Sequence, residues 1–248
     1  MMRYKRVLLK LSGGALAGES NFGFSTERLE HISSELLSLT EIGVQVCVVV
    51  GGGNIFRGKM AELWGIERAE ADNIGTLATV INSLMLRGVL TSKTDRQVRV
   101  MTAVPINAVA EPYIRLRAIH HLEKGYIVIF AGGNGQPYVT TDYPSVQRAI
   151  ETRCDAILVA KHGIDGVYEC DPRENPDARQ YGTLSYKDVV AKDIGVMDQS
   201  AILLARDHNL PVHIFNFESR NSMQRICEGE DLGTLVFHGE SIFQEPFS

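Results

Sequence analysis

Residues 44–58 read VQVCVVVGGGNIFRG, an apolar run followed directly by three glycines. Continuous apolar strands are expected when helices cover both faces of a parallel sheet, whereas a half-exposed antiparallel strand alternates apolar and polar residues. Three other runs have the same form, namely RVLLKLSGG from Arg6, YIVIFAGGNG from Tyr126 and AILVAKHGIDG from Ala156. The pattern predicts an α/β fold with a mainly parallel sheet whose strands end in glycine-rich loops.

The segments between these runs have helical periodicity. In residues 26–39 the apolar positions Leu29, Ile32, Leu36 and Leu39 recur every three or four residues, which predicts an amphipathic helix. Further helices are expected at about 72–90, at 142–153, where TTDYPS offers a cap and a first-turn proline, and at 197–207. A strand is expected in PVHIFNF (211–217) and a loop over DPRENPDARQYG (171–182). No Pro/Ser-rich linker divides the chain, so we expect one domain over residues 1–248.

Composition restricts the function classes. The chain has 248 residues, 44% of them hydrophobic and 22% charged, as in an ordinary globular domain. A net charge of −5 without a basic block argues against stable nucleic acid binding. No uninterrupted apolar run approaches the roughly 20 residues that span a bilayer, so we expect a cytoplasmic protein without membrane contact. The four cysteines form no CxxC pair, which favours core or bystander thiols.

The glycine triplet of residues 51–53 is the first candidate binding element. Consecutive glycines let the backbone approach a ligand closely and present unblocked N–H groups, for which phosphate oxygens are natural acceptors. Arg57 follows within the same loop and carries a permanent, forked positive charge. A tight turn without a ligand is the alternative for the triplet alone, and Arg57 favours binding.

Lys10 lies in an apolar run directly before Ser12, Gly13 and Gly14. A lysine in that place can reach a phosphate bound by the glycine loop, although an isolated strand-end lysine more often keeps its ammonium in water. The sequence has neither GxxxxGK[ST] nor GxGxxG at the first strand-helix turn. Two glycine loops on different strands therefore suggest two phosphate-bearing ligands.

Two later loops carry further polar groups. AGGNGQPYVTTD, from Ala131, offers Asn134, Gln136 and Thr140 to a base or sugar, although NGQP is also an ordinary turn composition. KHGIDGVYECDP, from Lys161, places Asp165, Tyr168 and Asp171 after an apolar run, where the tyrosine ring could stack on a purine. No histidine or cysteine cluster has zinc-ligand spacing.

Taken together, these motifs resemble those of the bacterial-type UMP kinases of the amino acid kinase family. The resemblance covers about residues 4–235 and rests on KLSGGAL, FGF, GGGNIFRG, ADNIGTLAT, AGGNGQPYVTTD, DGVYECDP and VMDQSA in the family's order and spacing. The chain departs from the usual family pattern at Gly14, Asn134, Gln136 and His162. The resemblance implies a three-layer α/β/α fold of the carbamate kinase type, with UMP bound mainly by residues 1–150 and ATP mainly by residues 151–240.

The resemblance also implies site residues by position. Lys10, Ser12 and Gly13 would contact the ATP phosphates, Gly53 and Arg57 would lie at the transfer centre, and Gly52 and Asp72 would contact UMP. The remaining UMP contacts would come from Gly133, Asn134, Gly135, Gln136, Pro137, Tyr138, Val139 and Thr140. His162, Tyr168 and Asp171 would hold the adenosine side of ATP, and Asp198 would orient the catalytic lysine.

The same resemblance implies reversible transfer of the ATP γ-phosphoryl group to UMP in pyrimidine nucleotide biosynthesis. Mg²⁺ would be held mainly by the ATP phosphates, with no dedicated protein metal site. A homohexamer, a trimer of dimers, would be the assembly, with possible GTP activation through Gly18, Glu19, Ser20, Asn21, Phe22 and Gly23 and possible UTP inhibition. Two alternatives stay open, a relative that phosphorylates a carboxylate or carbamate, and an ATP-binding protein without kinase activity.

Overall fold

A computed structural model of the protein describes residues 2–244, which form a central sheet of eleven strands between two layers of helices. The strands are β1 (Arg6–Leu11), β2 (Gln45–Val50), β3 (Val98–Thr102), β4 (Glu111–Pro112), β5 (Ile127–Ala131), β6 (Ala156–Lys161), β7 (Val167–Tyr168), β8 (Gln180–Ser185), β9 (Val212–Asn216), β10 (Thr234–Phe237) and β11 (Ile242–Phe243). Their order is β11-β8-β10-β9-β6-β1-β2-β5-β3-β4, with β7 paired to β8.

The helices are α1 (Gly14–Ala17), α2 (Thr26–Glu41), α3 (Gly58–Leu63), α4 (Arg68–Thr91), α5 (Arg115–Glu123), α6 (Asp142–Glu151), α7 (Tyr186–Ala191), α8 (Gln199–Asp207) and α9 (Ser222–Glu228), with a 3₁₀ turn at Gly18–Ser20. Residues of α2, α4 and α9 form a core with one face of the sheet. Residues of α5, α6, α7 and α8 form a second core with the other face. The predicted three-layer α/β/α architecture is confirmed.

The centre of the sheet is parallel. β1 lies between β2 and β6 and runs parallel to both, with Lys10 opposite Val49 and Val159. Leu9 belongs to the α2–α4 core and Leu8 to the other, so that both faces of the strand are buried. This double burial explains the continuous apolar run in the sequence. Antiparallel pairs occur toward one edge, between β9 and β10, between β8 and β11, and between β7 and β8.

The predicted elements are largely confirmed, with three corrections. The predicted helix at 72–90 begins earlier, at Arg68, so that residue 72 lies one turn inside it. The predicted loop at 171–182 ends sooner, because Gln180 begins β8. The residue before α6, Thr141, has helical backbone angles and makes no side-chain cap, although a cap was expected. Of the predicted domain range 1–248, residues 1 and 245–248 lie outside the described residues.

Helix α4 has two apolar sides. One side packs against the core through Val80, Leu86 and Leu90, and the other exposes Leu77 and Ile81. The sequence has no uninterrupted apolar run of membrane-spanning length, yet within residues 2–244 α4 is long and apolar enough to cross a bilayer by length and composition. A core helix passes the same test, and α4 makes core contacts in this fold.

The cysteines were expected to be core or bystander thiols, and three of the four lie in the core. Cys47, Cys154 and Cys227 are buried, and Cys170 is exposed. The Sγ atoms of Cys47 and Cys154 lie 3.5 Å apart in the core on the α5–α8 face. Burial raises the pKa of Cys47, so that its thiol is held in the protonated form.

The burial of β6 predicts how shortening one of its side chains changes the stability of the protein. Leu158→Ala removes a fully buried side chain from β6 and should lower the free energy of unfolding by about 2–5 kcal/mol, because a cavity remains in a packed core. Leu63→Ala, at a position that is 84% exposed, is the matched control and should change it by less than about 0.5 kcal/mol. Chemical denaturation measures both, and equal effects would contradict the assignment of β6 to the core.

Candidate functional site

The first two glycine loops touch each other at one edge of the sheet. β1 and β2 end side by side, and the Gly51 N–H donates to the Leu11 carbonyl at 2.9 Å. A Cβ atom at Gly13 would lie 2.5 Å from the Gly53 nitrogen, closer than any side chain allows. The two loops therefore meet backbone to backbone, and their N–H groups lie at the carboxyl ends of parallel strands, where open α/β sheets bind ligands.

A buried asparagine pair fixes this contact from behind. Asn82 of α4 donates to the Gly51 carbonyl at 2.6 Å and to Asn54 Oδ1 at 2.6 Å. Asn54 in turn donates to the Gly23 carbonyl at 2.8 Å. Both asparagines are fully buried, so leaving either amide without a partner would be costly. Asn82 was not among the predicted residues, and its place on a helix remote in sequence gave no signal.

Lys10 extends from β1 toward α6, where its Nζ lies 2.6 Å from Asp142 Oδ1. Both side chains are mostly buried. The direct carboxylate partner of Lys10 is therefore Asp142, whereas the sequence resemblance had assigned its orientation to Asp198. Asp198 acts one step away, because its backbone N–H donates to Asp142 Oδ2 at 3.0 Å.

A second lysine lies beside the first. Lys161 ends β6, next to β1, and its Nζ donates to the Val196 carbonyl at 3.2 Å. Burial, and then the nearby charge of Lys10, lower the pKa of Lys161. Lys161 and Asp142 were both missed as site residues, although a lysine closing an apolar strand is the signal that identified Lys10.

Arg57 contacts the backbone of the triplet loop and of residues 18–23 through its side chain. Its Nε donates to the Gly53 carbonyl at 2.8 Å, and a terminal nitrogen donates to the Asn21 carbonyl at 3.4 Å. The side chain is exposed, so its charge is accessible at the loop where a phosphate would bind. Arg57 also connects the triplet loop to the predicted effector loop, residues 18–23.

The loop of residues 18–23, predicted to bind an effector, has several residues with positive φ. Gly18, Asn21 and Gly23 all have positive φ, and Asn21 is a non-glycine residue in the left-handed region. The Gly23 N–H donates to the Asn54 carbonyl at 2.9 Å, and the Asn54 side-chain amide donates to the Gly23 carbonyl at 2.8 Å. Phe22 is 67% exposed at the tip. The loop is therefore attached directly to the candidate phosphate cradle.

The structure brings Asp72 and the loop of residues 133–140 together. The Tyr138 N–H donates to Asp72 Oδ2 at 2.8 Å, and Arg68 Nε lies 3.0 Å from both carboxylate oxygens of Asp72. Tyr138 has φ of 64°, a left-handed conformation that is uncommon for a tyrosine. Residues predicted for one ligand from distant parts of the sequence thus form one cluster.

Thr140 connects the same loop to Asp198, which lies just before α8. Its hydroxyl donates to Asp198 Oδ2, and Asp198 is attached to Asp142 and hence to Lys10. A chain of polar contacts therefore runs from the loop of residues 133–140 to the lysine on β1.

The three residues predicted for adenosine lie together on the segment after β6 but have other partners here. His162 Nδ1 lies 3.0 Å from Glu218 Oε1 in an exposed pair. Asp171 is bonded by Arg173, whose hydrogen bonds lower the pKa of the carboxyl to about 2. Tyr168 is half-buried in β7, and burial raises its pKa. All three follow β6 in the chain, His162 and Asp171 in loops and Tyr168 in β7.

The acidic side chains of the site are compatible with a metal ion that is bound mainly by the phosphates of a ligand. Within residues 2–244, no group of three His, Cys, Asp or Glu side chains is arranged to hold a metal ion. Two carboxylates, Asp142 and Asp198, lie at the site next to the predicted phosphate position. Mg²⁺ is commonly held by one or two carboxylates together with substrate phosphates, so these residues fit that arrangement.

The sequence and the fold both match known proteins. Residues 5–216 match the amino acid kinase family. The uridylate kinase of Frankia casuarinae is 58% identical over 236 residues, covering 95% of this chain and 91% of the relative. The uridylate kinase of Rickettsia bellii is 47% identical over 235 residues, covering 95% of this chain and 98% of the relative.

Solved structures agree. The crystal structure of UMP kinase from Bacillus anthracis superposes with a TM-score of 0.96 at 65% identity, covering 98% of this chain and 99% of the other. UMP kinase from Ureaplasma parvum superposes with a TM-score of 0.89 at 30% identity, covering 95% of this chain and 100% of the other. The likeness therefore extends over the whole sheet and both helical layers.

The loop contact predicts a difference between two glycines. Gly13→Ala should lower the free energy of unfolding by about 1–3 kcal/mol, because the added methyl group would overlap the Gly53 backbone and the Asn54 side chain. Gly53→Ala is the control, since a Cβ atom there has no neighbour within 4 Å. Chemical denaturation of both variants tests the contact, and a Gly13→Ala protein as stable as the Gly53→Ala protein would contradict it.

Proposed function

Because the chain belongs to the amino acid kinase family, with UMP kinases among its relatives over nearly its full length, we propose that it transfers the γ-phosphoryl group of ATP to UMP, giving ADP and UDP. One observation carries the proposal. The backbone contact between Gly13 and Gly53 supports it, because the two loops proposed to bind phosphate lie side by side there, with Lys10 on β1 and Arg57 in the loop after β2. The reaction is reversible, as phosphoryl exchange between nucleotides is, and we place it in pyrimidine nucleotide biosynthesis in the cytoplasm.

The acceptor side is formed by Gly52, Asp72 and the loop of residues 133–140. Support comes from the Asp72–Tyr138 hydrogen bond, which brings the helix and the loop to one place at the carboxyl edge of β2 and β5. An Asp72 carboxylate can accept from ribose hydroxyls, and the loop supplies backbone and amide groups for a pyrimidine. The donor side is formed by Lys10, Ser12, Gly13 and the segment carrying His162, Tyr168 and Asp171.

In the proposed mechanism, a UMP phosphate oxygen attacks the γ-phosphorus of ATP directly and in line. The nucleophile is already an anion, so the reaction needs no general base, and catalysis comes from positioning and charge neutralisation. Lys10 and Arg57, with the N–H groups of the glycine loops, stabilise charge on the transferring oxygens. Mg²⁺, bound chiefly by the ATP phosphates, would add to this neutralisation when present.

Asp198 is a positioning residue in this proposal. It accepts from Thr140 on the acceptor side and holds Asp142 through its backbone N–H, and Asp142 forms the ion pair with Lys10. The ion pair thereby fixes the position of the Lys10 ammonium, which would otherwise move freely in solvent. Lys161 lies beside it and adds a second positive charge at the same strand ends.

Assembly and regulation follow the family in this proposal, as a hexamer of three dimers with GTP activation and UTP inhibition. The exposed apolar side of α4, with Leu77, Ile81 and Met85 at 50%, 48% and 38% exposure, supports a subunit contact there. The hydrogen bond from Arg57 to the Asn21 carbonyl supports a physical connection between residues 18–23 and the proposed transfer centre.

An assay of ADP release over several acceptors tests the function. With ATP and Mg²⁺, UMP should give turnover well above that with CMP, AMP, acetylglutamate or carbamate. Lys10→Ala should lower kcat by about 100-fold or more, because one preorganised charge is lost from the transition state. Lys124→Ala, a surface lysine after α5, is the control and should retain full activity. Turnover with acetylglutamate but not UMP, or none with any acceptor, would refute the proposal.

The acceptor side is tested separately by Asp72. Asp72→Ala should raise KM for UMP by about tenfold while leaving KM for ATP nearly unchanged, because it removes a hydrogen-bond acceptor and loosens the loop at Tyr138. Glu70→Ala, at an exposed position in the first turn of α4, is the matched control. Steady-state kinetics with each substrate varied measure the effect, and a rise in KM for ATP alone would reverse the assignment of the two sides.

A further inference from the structure

Lys161 is a cation whose hydrogen-bonding capacity the protein uses only in part. It is the last residue of β6, and its ammonium donates one hydrogen bond, to the Val196 carbonyl at 3.2 Å. An ammonium group has three N–H donors. Among residues 2–244, Lys161 has no carboxylate partner, and the nearby Asp142 is bonded to Lys10 at 2.6 Å. Donors of a half-buried lysine are therefore available to a ligand.

Lys161 and Lys10 project from the same face of the sheet. β1 and β6 are adjacent and parallel, with Lys10 opposite Val159. Side chains alternate along a strand, so residue 161 projects to the same side as Val159. Val159 packs in the core that the sheet forms with α5, α6, α7 and α8, and Asp142 is the first residue of α6. The two lysines therefore lie on one side of the sheet, beside the same carboxylate.

The surroundings of Lys161 favour a bound anion. Burial is the largest cause that lowers the pKa of Lys161, and repulsion by Lys10 comes next and outweighs the raising effect of Asp142. α8 begins three residues after Val196, and neither α6 nor α8 has a side-chain cap at its N-terminus. The N-terminal end of a helix carries a partial positive charge. An anion with several negative charges would therefore stabilise both ammonium groups.

The strand order separates the two lysines along the direction of transfer. Across the sheet the order is β6, β1, β2 and β5, and neighbouring strands lie about 4.8 Å apart. The loop proposed to bind UMP follows β5, Lys10 is on β1, and Lys161 is on β6, the strand farthest from that loop. In an in-line transfer the attacking and leaving oxygens lie on opposite sides of the γ-phosphorus. Lys161 is therefore on the side of the leaving group.

We propose that Lys161 binds the β-phosphate of ATP and neutralises the negative charge that builds up on ADP as it leaves. This inference rests on the transfer reaction proposed above and adds a residue to it. A UMP phosphate oxygen forms a bond to the γ-phosphorus, and the bond from the γ-phosphorus to the bridging oxygen breaks. The bridging oxygen keeps the electron pair as part of ADP, and Lys161 keeps its proton. A fixed cation beside that oxygen lowers the barrier to transfer.

Binding of ADP and of AMP to the full-length protein tests the contact. The probes are titrated by calorimetry with UMP at saturation, so that the acceptor side is occupied. Lys161→Gln removes the charge but keeps a donor for the Val196 carbonyl. It should raise the Kd for ADP about tenfold and leave the Kd for AMP nearly unchanged, because AMP has no β-phosphate. Wild-type affinity for ADP, or an equal loss with both probes, would overturn the proposal.

Two further variants complete the titration. Lys187→Met, at an exposed lysine of α7, is the matched control and should bind both probes as the wild type does. Lys161→Met also removes the charge and gives the same test if Lys161→Gln does not fold.

Steady-state kinetics separate this inference from the proposed function. Lys161→Gln should lower kcat about 100-fold and leave KM for UMP nearly unchanged. If the wild type turns over UMP and Lys161→Gln retains both kcat and the affinity for ADP, the role of Lys161 is refuted and the function stands. If Lys161→Gln selectively loses ADP while the wild type gives no turnover with UMP, the transfer reaction is refuted and the β-phosphate contact stands.

Discussion

The site depends on the approach of two backbones, at Gly13 and Gly53, to a distance that no side chain could occupy. This approach is possible because β1 and β2 are adjacent and parallel, so that both strands end at the same edge. It is maintained because Asn82 and Asn54, buried behind the loops, satisfy the carbonyls that the turn would otherwise leave unpaired. A sheet of hydrophobic strands thus places polar backbone groups where a charged ligand can reach them.

Much of this could be predicted from the sequence because the strands are buried on both faces. The apolar run of β2 and the glycines after it are local signals, and the α/β class and the parallel centre follow from them. The start of α4 was predicted too late, because its first five residues include Arg68, Glu70 and Asp72 and lack apolar periodicity. The first three residues of β8 were assigned to a loop because QYG resembles a turn, and the geometry of the strand depends on pairing with β10 and β11.

The parts of the site that escaped prediction are those made by long-range contacts. Lys10 was predicted from its place in an apolar strand, but its ion pair depends on Asp142, 132 positions later, which looked like an ordinary helix start. The hydrogen bond from Thr140 to Asp198 joins segments that only the folded sheet brings together. Local patterns identify which residue types are available, whereas their partners are determined by the strand order, which no local pattern specifies.

Helix α4 combines two tasks in one rigid element. Its N-terminal end carries Asp72, which holds the loop of residues 133–140, and its middle turns leave Leu77 and Ile81 uncovered. A helix transmits displacement along its axis with little deformation, so a neighbour that covers the middle turns also restrains the end that carries Asp72. Substitutions at Leu77 or Ile81 would thus change the affinity for a nucleotide held near Asp72. Selection for a contact between copies of the chain would then act on the same helix as selection for a substrate.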